Sequence, residues 1–188
     1  MTAISHIQES LAVKEKVLAQ LPEVIESTGH ILVEALKAGK KVLVCGNGGS
    51  AADAQHFAAE LINRFETERA PLPGIALTTD SSNLTSIAND YSYEVVFSKQ
   101  VQALGQAGDV LIAISTSGNS VSINNAVEAA LAKDMQVLAL TGETGGKMAE
   151  IASDHLHLVK IPSRRTARIQ EMHILVIHIW CAMIDQSF

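Results

Sequence analysis

Apolar residues recur at threes and fours through the first thirty-odd positions: Ile7, Leu11, Val17, Leu18, Val24, Ile25, Ile31, Leu32 and Leu36. That period predicts helix over 4–37, and Leu21-Pro22 divides it in two. Beyond it the pattern changes. Val42-Leu43-Val44-Cys45, Gly74-Ile75-Ala76-Leu77-Thr78, Val110-Leu111-Ile112-Ala113-Ile114, Val137-Leu138-Ala139-Leu140 and Leu156-His157-Leu158-Val159-Lys160-Ile161 are short runs, mostly of branched residues, and predict strands. Helical spacing returns between them at 51–64, 84–88, 94–104 and 121–133, with a short turn near 148–151. Alternating strands and helices predict an α/β fold: a parallel sheet covered on both faces and joined by right-handed crossovers.

Ligands of such sheets bind beyond the carboxyl ends of the strands. The polar clusters fall there: Asn47 to Ser50 after the first strand, Thr78 to Ser82 after the second and Ser115 to Ser120 after the third. The last helix, 167–186, differs from the others. Ile174, Leu175, Val176, Ile177, Ile179, Trp180, Cys181, Ala182, Met183 and Ile184 make it apolar nearly all round, more than one sheet face needs as cover. A partner subunit is the expected cover, with the chain's own N-terminal helices as the simpler alternative.

With 188 residues, 47% hydrophobic and 18% charged, the chain is long enough for a good core and far from the composition of a disordered one. One domain is expected over 1–188: N-terminal helices at 1–38, an α/β core at 41–161 and a terminal helix at 166–187. A net charge of -6 argues against broad electrostatic binding to nucleic acid or anionic membranes, so an anion site has to be built locally. The start of the chain lacks the pattern of a signal peptide, and the apolar stretch 174–184 is interrupted by His178 and short for a membrane span. A cytoplasmic location is expected. Cys45 and Cys181 have no framework spacing and are expected as buried thiols.

Two stretches carry chemistry. In the first, Cys45-Gly46-Asn47-Gly48-Gly49-Ser50 leads from a strand through a glycine turn into a helix that Ser50 is placed to cap. Free N–H groups and the positive helix end favour phosphate there, while His56 and Glu60 share a face of the same helix. In the second, Ser115-Thr116-Ser117-Gly118-Asn119-Ser120 packs four hydroxyls around one glycine, donors suited to an anion without a fixed cation. A serine-rich turn accounts for one or two of those hydroxyls but not for all of them. Arg64 and Arg69, among Glu66 and Glu68, read as a solvated face. Arg164, Arg165 and Arg168 form a basic cluster with either a surface role or one near a phosphorylated substrate.

Gly46-Asn47-Gly48-Gly49-Ser50, the Ser115 to Ser120 run and Arg168-Ile169-Gln170-Glu171 together resemble the sugar isomerase (SIS) domain, and within it the phosphoheptose isomerases. The resemblance extends over nearly the whole chain. It implies a flavodoxin-like five-stranded core, N-terminal helices used in a homotetramer, and conversion of sedoheptulose 7-phosphate into D-glycero-D-manno-heptose 7-phosphate, the entry to ADP-heptose and lipopolysaccharide core. It implies phosphate binding by Ser115, Thr116, Ser117 and Ser120, and sugar contacts from Asn47, Gly48, Gly49, Asn89 and Asp90. Ser50, Glu60 and Gln170 are also expected against the substrate. Its metal and catalytic set matches His56, Glu60, Gln170 and His178. Some family members carry an Asp just before the Arg-Ile-Gln run; Ala167 stands there in this chain, which leaves a ring-opening or orienting carboxylate unassigned.

Aldose–ketose interconversion passes a proton between neighbouring carbons through an enediol. It requires a carboxylate base, a group that shuttles the hydroxyl proton, and a donor or metal for the developing charge. Glu60 as base and His178 as its partner meet the first two needs. Two imidazoles and a carboxylate suit zinc, with the Gln170 amide a weaker ligand, so a loosely held Zn2+ is expected. Gln170 and His178 lie about 12 Å apart along one helix at ~1.5 Å per residue. Either part of the set comes from another subunit or the metal uses only some of it; a site at a subunit interface is expected. His173 is expected in support or packing, and His6, His30, His155 and His157 fit no constellation.

Two other readings compete. Asn63-Arg64-Phe65-Glu66-Thr67-Glu68-Arg69 and 167–173 also resemble the replication-initiator-associating protein, a non-catalytic SIS tetramer that binds the bacterial initiator DnaA. That relative lacks the acidic residue at the position of Glu60 and the histidine at that of His178, and both are present here. A regulatory sugar-phosphate sensor would keep the Ser/Thr loop and need no base.

Overall fold

Leu21 and Pro22 do divide the N-terminal helical stretch, into α1 (Ala3–Gln20) and α2 (Pro22–Lys37), in a computed structural model that describes residues 2–188. Pro22 opens α2 where its missing N–H leaves no bond unmade. Thr2 and Ser5 cap α1 reciprocally, each side chain accepting the other's backbone N–H at 3.2 and 2.9 Å.

The strands β1 (Val42–Gly46), β2 (Gly74–Ala76), β3 (Val110–Ser115), β4 (Gln136–Thr141) and β5 (Leu156–Lys160) form one parallel sheet in the order β2-β1-β3-β4-β5. The order reverses between β1 and β3, so a crevice opens beyond their carboxyl ends. β2 is shorter than its sequence predicts: it is an edge strand, Ile75 is exposed, and pairing with β1 covers only Gly74 to Ala76.

The helices are α3 (Gly49–Ile62), α4 (Ser81–Asp90), α5 (Val96–Leu104), α6 (Val121–Leu131) and α7 (Thr166–Asp185), with 3₁₀ turns at Tyr93–Val95 and Gly146–Glu150. Alternate residues of β1 face opposite layers. Val42 and Val44 pack with Phe57, Leu61, Leu32, Val176 and Trp180, and Leu43 and Cys45 with Phe97, Val101, Ile123 and Val127. Thus α1, α2, α3 and α7 cover one face and α4, α5 and α6 the other.

By length and composition α7 is apolar enough to cross a membrane, yet half of it is buried in this fold. Met172, Val176, Ile177, Trp180 and Ile184 are fully enclosed, and Trp180 Nε1 donates to the Ile25 carbonyl at 3.1 Å. The chain's own α2 therefore supplies much of the cover that the sequence assigned to a partner. Among the described residues an exposed apolar stripe runs along α1 instead, where Ile4, Ile7, Leu11 and Leu18 are 52 to 76% exposed.

Candidate active site

The crevice beyond β1 and β3 is a cleft of about 340 Å³ lined by Asn47, Gly48, Gly49, Ser50, Ser115, Thr116, Ser117, Ser120, Thr166 and Gln170. Gly48 (φ 57°) turns the chain into α3 and caps it; Ser50, expected as the cap, lies inside the first turn, buried, and makes no capping bond. At Gly49 a side chain would begin 2.5 Å from Gln170 Nε2, so only glycine lets the α7 amide approach the turn this closely.

Among the described residues, the amides of Gly48, Gly49, Thr116 and Ser117 donate no hydrogen bond within the chain, and neither do the hydroxyls of Ser50, Ser115 and Thr116. Gly142 N donates to Thr116 O at 3.0 Å, which turns that peptide's carbonyl away and leaves its other end, the Ser117 N–H, pointing the opposite way. Ser117 Oγ accepts from Asn119 N at 3.1 Å and keeps its own hydrogen. The result is a cradle of donors with no fixed cation, fit for a phosphate group. The basic cluster is committed elsewhere: Arg164 pairs with Glu143 at 2.6 Å, Arg165 with Glu9, and Arg168 with Glu171 at 2.7 Å.

The residues expected to do the acid–base work form a second group. His56 Nε2 is 2.8 Å from Glu60 Oε1 and 3.5 Å from His178 Nε2, and His178 lies against the Phe65 ring at 5.4 Å between centroids. Glu60 is drawn in, its side chain 20% exposed against 42% for His56. Asp53, one turn before His56, was not singled out by sequence, although its spacing places it on the same face. One of its carboxylate oxygens is buried without a partner, and burial raises its pKa against the opposing pull of His56.

The helices α3 and α7 run side by side in the same direction, Gly49 against Gln170 and His56 against His178. Along them the cleft and the acid–base group are about 10–12 Å apart at ~1.5 Å per residue. Gln170 therefore belongs to the cleft, and within one chain it does not join His56, Glu60 and His178. Those three are grouped, His56 Nε2 donating to Glu60 with the His178 ring beside it; among the described residues no three His, Cys, Asp or Glu side chains are placed as a formed metal centre. Asn89 and Asp90 also fall outside the cleft, exposed at the end of α4 and bonded to each other at 2.9 Å. The residue of that segment that reaches the cleft is Tyr93, whose hydroxyl donates to Asn47 Oδ1 at 2.7 Å.

Residues 5–142 match the SIS domain. Over 183 residues the chain is 57% identical to the phosphoheptose isomerase of Alteromonas mediterranea, covering 97% of this chain and 92% of that one. This chain belongs to the SIS-domain phosphoheptose isomerase family. Solved structures of that family superpose over their full length. The phosphoheptose isomerase from Neisseria gonorrhoeae has a TM-score of 0.92 at 50% identity, covering 97% of this chain and 96% of that one. The one from Francisella tularensis has a TM-score of 0.95 at 43% identity, covering 99% and 100%.

Proposed function

We propose that the protein isomerises sedoheptulose 7-phosphate to D-glycero-D-manno-heptose 7-phosphate. The observation that carries the proposal is the half-buried Glu60 carboxylate grouped with His56 and His178, in a chain whose family is named for this reaction. The substrate's phosphate sits in the cradle of Ser115, Thr116, Ser117, Ser120 and the free amides of the glycine turn. Glu60 removes the proton from the carbon beside the carbonyl and returns it to the neighbouring carbon. His178 carries the hydroxyl proton between the two oxygens in the same sense, from the hydroxyl that becomes the aldehyde to the former carbonyl oxygen, and His56, bonded to the Glu60 carboxylate, holds that carboxylate in place.

Because the two groups lie two helix turns apart in one chain, we propose a homo-oligomer, with the cleft of one subunit served by the acid–base group of another. The donor types of His56, Glu60 and His178 suit Zn2+, with Gln170 available only from a second subunit. Such an ion would polarise the substrate carbonyl. The proton transfers above depend on the side chains alone.

Following sedoheptulose 7-phosphate by NMR tests the proposal. Turnover that falls about 10²–10⁴-fold in Glu60→Gln and again in His178→Asn supports it. A wild-type protein that binds the sugar phosphate without converting it, or a Glu60→Gln variant of full activity, overturns it and leaves a binding scaffold.

A further inference from the structure

We infer that Tyr93 sets the direction of the hydrogen bonds beside the cleft, so that Ser120 faces the bound phosphate as a donor. Tyr93 is 54% exposed and meets the cleft only through Asn47, which lines it. Its hydroxyl is 2.7 Å from Asn47 Oδ1, while Asn47 Nδ2 lies 2.9 Å from Ser120 Oγ and 3.0 Å from Ser122 Oγ.

A carboxamide has one accepting end and one donating end. A phenol hydroxyl is more acidic than a serine's, so it donates more strongly and accepts more weakly; Tyr93 therefore satisfies the accepting end, and the donating end, with both its hydrogens, faces the two serines. Each serine oxygen then accepts from Asn47 and keeps its own hydrogen free to donate. Ser122 is 4% exposed, and among the described residues the only other hydrogen-bond contact of its hydroxyl is Ser120 Oγ at 3.4 Å, so its hydrogen points there. Ser120 is left with one hydrogen and one direction for it, the cleft that it lines. A phosphate offers only acceptors, so this polarity is the one that binds it.

Remove the phenol oxygen and nothing holds the carboxamide in that orientation. Turned over, Asn47 would present Oδ1 to the serines. Ser120 would donate to it and show the phosphate a lone pair. Tyr93 is thus a positioning residue that acts through Asn47 and touches no reacting atom.

The inference rests on the cleft being the phosphate site, and the test separates the two. Tyr93→Phe keeps the ring that meets Phe97 edge-on at 6.4 Å between centroids and loses only the hydroxyl. The expected result is a KM for the sugar phosphate raised about three- to tenfold, an inhibition constant for inorganic phosphate raised by the same factor, and an unchanged kcat. Ser120→Ala should raise both constants as well, and adding Tyr93→Phe to Ser120→Ala should change nothing further, because the two act on one bond. Additive effects in the double variant, or a Tyr93→Phe enzyme with wild-type constants beside a weakened Ser120→Ala, would overturn the inference alone. Wild-type constants in both Ser120→Ala and Ser117→Ala would instead remove the phosphate site itself.

Discussion

Arg69 and Asp185 form an ion pair of 3.0 Å with side chains only 3% and 5% exposed, and it ties the carboxyl end of α3 to that of α7. The Arg69 guanidinium also donates to the carbonyls of Glu60 and Leu61 at 2.6 and 2.9 Å, satisfying orphaned groups at the end of α3. Asp185 accepts the Glu66 and Thr67 amides, both at 2.8 Å. The sequence pattern around Arg69 suggests a solvated face. Instead this residue locks the two helices that carry Glu60 and His178.

Arg69→Met should cost about 3–5 kcal/mol in urea unfolding, since it strips a buried carboxylate of its cation. Acid sensitivity follows from the same pair. Burial alone would raise the Asp185 carboxyl, but the Thr67 and Glu66 amides and the Arg69 guanidinium outweigh it and hold the pKa below the ordinary value. The stabilisation is therefore complete above the unfolded carboxylate value of about 3.9 and is lost as pH falls through the lower folded value. Asp185→Asn should be less stable at neutral pH and flatter at the acid end.

His173 gives a second, separable pH dependence. It is fully buried, its Nε2–H donates to the Thr141 carbonyl at 3.2 Å and its Nδ1 has no partner among the described residues. Burial lowers its pKa to about 4, against a smaller opposing effect of the Thr141 bond. Between about 6.5 and 4 the unfolded chain takes up a proton that the native chain refuses, so stability falls as pH drops through that window. The loss approaches about 3 kcal/mol below it. His173→Gln should melt at a temperature that depends less on pH between 6.5 and 4 than the wild type does, and equal slopes would remove the assignment.

Gly118 should be the least replaceable residue of the Ser/Thr loop. It has φ of +65°, and a Cβ there would lie 1.9 Å from the Gly145 carbonyl oxygen and 2.4 Å from its carbon. Both obstacles are backbone. The left-handed conformation alone costs a non-glycine residue about 1–3 kcal/mol, and relieving the clash must move Gly145 or the loop. Gly118→Ala should lower the melting temperature and abolish inhibition by inorganic phosphate together, whereas Gly39→Ala, with open space around it, should lose stability without affecting phosphate.

Neither thiol should react in the native protein. Burial pushes Cys45 up to about 12, and burial with the nearby Glu60 and Asp185 carboxylates does the same for Cys181. A thiol reagent at pH 8 should label nothing until urea is added, and then label both. Native labelling of Cys181 would mean that α7 opens beside Glu60.

What could be read from the sequence was what neighbouring residues encode. The five strands, the break at Pro22 and the two polar loops were legible because each is a continuous stretch with its own period or composition. Tyr93, Asp53 and the Arg69 clamp were not, because their partners Asn47, His56 and Asp185 are brought to them by packing or by a helical face that no local pattern marks as special. The separation of Gln170 from His178 was legible as a helical distance. That Gln170 sides with the cleft required the contact with Gly49.

The exposed stripe of α1 carries the last prediction. Ile7 and Leu11 lie one turn apart on the same face, with Ile4 before them and Leu18 two turns beyond, and none is covered in the single chain. Each such side chain gains about 1.5–3 kcal/mol when fully buried, so together they supply a sizeable share of an association energy. Placing a carboxylate in that contact leaves it desolvated and unpaired, which removes the gain and adds a penalty. Leu11→Glu should therefore sediment as a smaller species than the wild type at micromolar concentration, with its helical circular dichroism intact because the position is exposed in the chain itself. If cleft and acid–base group come from different subunits, its isomerase activity should fall with dissociation and recover as concentration rises. A monomeric wild type of full activity would show instead that one chain completes the site.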